Sequence, residues 1–157
     1  KEGSIDESMI YYKKAVENDP SNRIYLDNYL RVAGKKADHN IIRFANLYNA
    51  VALGKYTFSD LKKEIEEIEP YLDKSLRFLY LKARYFYDLR NYLEAEKILR
   101  DIVDKDPSFY KAKYNLALIY ETTGKAEEAV KIYKELVSNG FIYEDISKRI
   151  EKLKLMK

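Results

Sequence analysis

The chain has 157 residues, 18.6 kDa, with 29 basic against 26 acidic residues and a net charge of +3. That is one domain's worth of sequence, near neutral, neither a disordered acidic tail nor a uniformly basic nucleic-acid binder. It has no cysteine and one histidine, His39, which excludes disulfide frameworks, thiolate zinc sites, thiol nucleophiles and paired-histidine metal sites. Five glycines and three prolines are too few for an all-β chain with a turn every 8–12 residues. No apolar run reaches the ~20 residues of a membrane helix.

In chain order, residues 3–20 run Gly3, Ser8, Tyr12 and Ala15 and close on Asp19-Pro20, which reads as a helix that begins at a turn glycine. A helix over 4–18 is expected, with Ile5, Met9, Tyr12 and Val16 in one stripe and Ile10 alongside. Further helices are expected at about 22–34, 38–53, 58–71, 74–89 and 92–105. Gly34-Lys35-Lys36 and Gly54-Lys55-Tyr56 break them, and Thr57 to Asp60 reads as a capping box. Residues 142–157 set Ile142, Ile146, Ile150 and Leu153 on one face, as in a terminal capping helix.

Residues 76–109 repeat as 110–143, a shift of 34. Tyr80 falls on Tyr114, Ala83 on Ala117, Phe86 on Tyr120, Glu94-Ala95 on Glu128-Ala129, Leu99 on Tyr133 and Ile102 on Leu136. Each unit is a helix, a tight turn and a helix. Gly124 punctuates the second, and Asp106-Pro107 ends the first, because proline lacks an N–H and clashes with the preceding turn.

This unit resembles the tetratricopeptide repeat. Where that family has Trp, Leu-Gly and Tyr in the first helix, then Ala, Phe and Pro, the first unit has Leu79, Lys82-Ala83 and Phe86, then Ala95, Leu99 and Pro107. The second has Lys113, Leu116-Ala117 and Tyr120, then Ala129, Tyr133 and Phe141. Lys82, Lys113 and Phe141 depart from the pattern. The resemblance implies an all-α, right-handed α-α superhelix, a helical-hairpin solenoid of about nine helices. It is read as a single domain over 1–157: a half repeat at 1–20, divergent helices at 21–75, repeats at 76–109 and 110–143, and a capping helix at 144–157. Pro20 and Pro107 are 87 residues apart; two periods account for 68, and the remaining 19 are about one extra helix and turn. A chain that opens on Lys1 with half a repeat reads as cut from a longer array.

No site of chemistry stands out. There is no Gly-rich phosphate loop, Gly-x-Ser-x-Gly elbow or His-Glu-x-x-His. Asp101, Asp104 and Asp106 lack the turn glycine and late glutamate of a calcium loop, and His39 between Asp38 and Asn40 suits an exposed or capping place. The expectation is no catalytic residue, no metal and no cofactor. The basic run Lys148, Arg149, Lys152, Lys154, Lys157 reads as a solvated helix face rather than a nucleic-acid or lipid contact.

The resemblance implies a protein-interaction scaffold whose first helices line a concave face that holds a peptide or partner helix. Those residues are Arg77, Tyr80, Leu81, Arg84, Tyr87 and Asp88 from one unit, and Lys111, Tyr114, Asn115, Leu118 and Glu121 from the next. Tyr and Arg give broad contact with little entropy loss. Tyr85, Tyr92, Tyr120 and Tyr133 are assigned to the core. Arg84→Glu and Tyr114→Ala are expected to weaken a partner without unfolding the chain. The family's carboxylate clamp is matched at Asn115 and Arg149 but not at Tyr80, Arg84 or Asp145, which argues against chaperone-tail binding. The alternative is an assembly subunit pairing through its helix ends, and the bare stripe of the first helix predicts weak self-association there.

Overall fold

The computed structural model describes residues 2–141, 143 and 145–155; Ile142 and Lys157 of the expectations above lie outside them. Among the described residues there are nine α-helices and no strand. They are α1 (Glu2–Asn18), α2 (Arg23–Ala33), α3 (His39–Ala52), α4 (Phe58–Leu72), α5 (Leu76–Asp88), α6 (Tyr92–Lys105), α7 (Tyr110–Thr122), α8 (Ala126–Ser138) and α9 (Ile146–Leu155). Five of them lie between Pro20 and Pro107, at the places that the phase arithmetic requires.

Local chemistry sets the boundaries. Asn22 and Asp38 cap α2 and α3, accepting from the backbone N–H of Ile24 and Asn40. His39 is the exposed first residue of α3, and the cap itself is Asp38. Thr57 Oγ1 accepts from the Asp60 N–H at 3.1 Å and donates to the Asp60 carboxylate at 2.6 Å, so the box closes through the two side chains. At Asp106-Pro107 the Asp106 side chain accepts from the N–H and hydroxyl of Ser108, and α6 ends at Lys105. Gly3 lies within α1 and does not mark a turn before it.

The chain divides into two compact units, Lys1–Tyr85 and Phe86–Lys157, the division falling within α5. In the first unit α1 packs on α2 and α3, and α3 on α4. Its core joins Val16, Leu26, Tyr29, Phe44, Leu61, Ile65, Ile68 and Phe78, with the Phe44 and Phe78 rings edge to face at 6.3 Å. The Tyr29 hydroxyl accepts from the Asp38 N–H at 2.6 Å, fixing the entry to α3. Arg43 reaches Glu64 at 2.9 Å and also Glu67, and Lys82 pairs with Glu69. These are partly exposed pairs that select register more than they stabilise.

In the second unit α7 packs on α6 and α8, and α8 on α9. The four small residues of the repeat, Ala83 and Ala95, Ala117 and Ala129, are all buried, each in its own unit, as close helix packing demands. Lys113, which takes the family's aromatic place, is 7 % exposed and pairs with Glu135 across α7 and α8. A long aliphatic stem fills the aromatic's volume while its ammonium reaches a carboxylate at the rim.

Arg90 is the one strained position among the described non-glycine residues, with φ 59°. It stands 34 residues before Gly124, φ 79°, and makes the same turn: Arg90 N–H to Tyr87 O and Asn91 N–H to Phe86 O, against Gly124 N–H to Glu121 O and Lys125 N–H to Tyr120 O. An L side chain in this region costs about 1 kcal/mol. Arg90→Gly returns roughly half of that as freedom of the unfolded chain. A net gain of about 0.5 kcal/mol is expected, read as a Tm increase of about 2–4 °C by calorimetry.

Candidate interaction face

In the first unit, α5 is held from three sides. Arg77 donates from Nε to the Asn18 carbonyl at 2.9 Å, placing a cation on the carbonyl end of α1, where the helix dipole favours it. The Tyr80 ring lies 6.5 Å from Tyr48 and packs against the core. Tyr85 stacks on Phe58 at 5.2 Å. Leu81, expected on the concave face, is 1 % exposed and belongs to the core with Phe78, whose ring meets Phe44 of α3. Arg84 projects to solvent.

In the second unit, Tyr87 meets Tyr92 edge to face at 5.5 Å, and Asp88 is exposed. Tyr120 and Tyr133 are buried as assigned, while Tyr92 is half-buried. Lys111 is exposed, and Asn115 and Leu118 are half-buried, so α7 shows solvent a stripe at i, i+4 and i+7.

Beside that stripe runs a network that joins α7, α8 and α9. The Tyr114 hydroxyl donates to Asp145 at 2.7 Å, and Arg149 Nε donates to the same carboxylate oxygen at 2.6 Å. Arg149 Nη1 reaches Glu121 at 2.9 Å, and the Tyr133 hydroxyl donates to Glu121 at 3.1 Å. Tyr114 also lies 4.4 Å from Tyr143 and 6.0 Å from Tyr133, ring to ring. Burial, then donation to Asp145, pushes the Tyr114 phenol up to about 12. Burial works against the Asp145 charge, but the bonds from Arg149 and Tyr114 outweigh it and hold the carboxyl below its usual range.

Tyr114 is therefore tied into the fold, and Tyr114→Ala is expected to loosen the unit as well as change its surface. Arg149 is already engaged with two carboxylates, which removes it from any clamp. Sequence reasoning missed Glu121, Asp145 and Arg149 as partners. The signal was present: one more shift of 34 sets 144–157 on 110–123, so α9 stands where a repeat's first helix stands, with Asp145 on Lys111 and Arg149 on Asn115.

Among the described residues no three acidic or histidine side chains gather in a way that holds a metal, and no helix is long and apolar enough to cross a membrane.

Paired helices repeating at 34 residues, with buried alanines between them, define a helical-repeat protein. Two tetratricopeptide-repeat family models match the chain, one over residues 80–140 and one over residues 1–22. A TPR repeat-containing protein of Methanocaldococcus jannaschii is 26 % identical over 136 residues, 83 % of this chain and 23 % of that protein. A second TPR repeat-containing protein of that organism is 43 % identical over 49 residues, 31 % of this chain and 15 % of the relative. The chain thus spans a quarter or less of the length of these relatives. No solved structure gives a significant match. The chain belongs to the tetratricopeptide repeat family, whose members serve as protein–protein interaction scaffolds and are generally not enzymes.

Proposed function

We propose that the chain binds a peptide or a partner helix on the exposed faces of its repeat first helices. In the second unit the contributors are Lys111, Asn115 and Leu118 on α7, with Tyr114 beside them, and Tyr87 on α5; in the first unit Arg84, with Arg77 and Tyr80 at its edge, forms a face of its own. The observation that carries this is the α7 stripe. Lys111, Asn115 and Leu118 mix charge, amide and apolar surface, and Asn115 and Leu118 are half-open to solvent while the opposite side of the helix is fully packed. In a family built for protein contact, that is the surface available to a ligand. The test is a peptide selected from a display library against the full chain. Leu118→Ser and Lys111→Glu are expected to weaken it by about 2 kcal/mol, some thirtyfold, with unchanged melting. Unchanged affinity in both variants would move the site elsewhere.

A second reading has its own support. Of the α1 stripe expected to be bare, Val16 is buried and Met9 and Tyr12 pack on the core, which leaves Ile5; Ile10 and Tyr11 beside it are exposed too, Tyr11 at 65 %, whereas Ile98 and Ile132, the counterparts of Tyr11 on α6 and α8, are half-covered. Apolar surface of this kind favours association at about 25 cal/mol per Å² covered. Weak self-association through α1 is expected to show as a mass that rises with concentration in light scattering and is abolished by Tyr11→Glu. A mass independent of concentration rules it out.

A further inference from the structure

Charge in the Phe86–Lys157 unit is sorted by helix. α9 carries four basic residues against one acid, and α7 two against one, while α6 and α8 together carry seven acids against five bases. On the side where α7 and α9 face each other, the acids are already used. Glu121, with 14 % of its side chain exposed, takes Arg149 and the Tyr133 hydroxyl, and Asp145 takes Arg149 and the Tyr114 hydroxyl. The lysines project outward. Lys111 and Lys148 are exposed, and Lys152 keeps 69 % of its side chain open with its ammonium 4.0 Å from Glu121. The 34-residue period sets Lys152 at the place that Leu118 holds in the α7 stripe and Lys148 at the place of Tyr114 beside it, so the stripe's continuation on α9 carries one cation and is flanked by another.

We infer that the α7–α9 face takes an extended acidic segment of a partner protein, its carboxylates meeting Lys111, Lys148 and Lys152 and an apolar side chain resting on Leu118. This rests on the reading of the α7 stripe given above. Charge complementarity selects the occupant. A nucleic acid is the competing polyanion; three separate lysines are few for its continuous row of phosphates, and an oligonucleotide control distinguishes it. A chain terminus is not the preferred feature, because Arg149, the side chain suited to gripping a terminal carboxylate with two parallel bonds, is spent inside the unit. Spaced single carboxylates within a peptide match spaced single ammonium groups.

The experiment uses the full chain and a fluorescein-labelled, C-terminally amidated peptide of about twelve residues in which Glu and Asp alternate with Leu and Phe. Its controls are the same peptide with Gln and Asn for the acids, its free-carboxylate form, and a single-stranded oligonucleotide of similar length. The acidic peptide is expected to bind at least about tenfold tighter than its amide analogue, and to weaken as salt rises. Amidated and free-carboxylate forms should bind alike. The double variant Lys148→Glu/Lys152→Glu should lose about tenfold or more with an unchanged circular dichroism spectrum, and Lys131→Glu/Lys134→Glu on α8 should change less than about twofold. Equal binding of acidic and neutral peptides, indifference to the Lys148/Lys152 pair, or tighter binding of the oligonucleotide would each overturn the inference. A neutral peptide lost on Leu118→Ser but not on the lysine variant keeps the stripe reading and removes the acidic one. An acidic peptide lost on the lysine variant but indifferent to Leu118→Ser does the reverse.

Discussion

Tyr133→Ala is expected to remove about 3–5 kcal/mol from the Phe86–Lys157 unit. Tyr133 is 0 % exposed and sits at the position where Leu99 stands in the preceding repeat, and its ring meets Tyr114 in the seam that α7 and α8 close. Truncation empties that volume and also takes one hydrogen bond from Glu121. Domains of this size have about 5–15 kcal/mol in all, so the unit should melt tens of degrees lower or not fold at all. Tyr133→Phe separates the two contributions. It keeps the ring and leaves Glu121 paired with Arg149, and should cost only about 0.5–1.5 kcal/mol. Thermal melts of the two variants side by side check this; similar losses would mean that the hydroxyl, not the packing, dominates.

The second large effect is expected at Arg149. Arg149→Ala leaves Asp145 with Tyr114, and leaves Glu121 with Tyr133 and a lysine 4.0 Å away. Each acid loses its main counter-charge in a partly buried place, which should cost about 1–2 kcal/mol. Arg149→Lys should recover less than half, since one ammonium cannot make two directed bonds to two carboxylates. The same network sets the pH window. The Tyr114 phenol is raised from 10.0 to about 12 in the folded chain, and burial raises Tyr133 and Tyr143 too. Between those two values the unfolded chain has lost the Tyr114 proton and the folded chain has kept it. Stability is therefore full below pH 10 and falls as pH rises towards 12. For Asp145 the sign is opposite. Its folded value lies below 3.8, so its contribution is present above that pH and is lost as pH falls through the lower folded value. Tyrosinate absorbance against pH, beside the unfolding signal, checks the alkaline limb; Tyr114→Phe should narrow the gap between folded and unfolded titrations.

Helical periodicity, two prolines and a 34-residue self-match were enough to place the helices, because each of those signals is local. A helix declares itself by the spacing of its apolar residues, a turn by Gly54 or Gly124 in the left-handed region, and a stop by Asp19-Pro20 or Asp106-Pro107. The small residues were legible for the same reason: Ala117 and Ala129 recur at fixed register, and the fold buries both. The surface was less legible. Spacing identifies a stripe, but a stripe on a repeat's first helix has neighbours on both flanks, and only their placement decides which edge stays open. Leu81 went to the core and Arg84 to solvent although three residues separate them, because the Phe78/Leu81 edge of α5 is taken into the core of the first unit. Arg77 finds a carbonyl 59 residues away at Asn18, Tyr114 finds Asp145 31 residues on, and Lys113 finds Glu135 in the next helix. These partners meet because helices from distant sequence are packed side by side. The sequence by itself thus determined the family, the helices and the buried alanines. The tertiary structure alone decided which polar side chains, such as Arg149, Glu121 and Asp145, are consumed within a unit and which, such as Lys111 and Lys148, stay exposed.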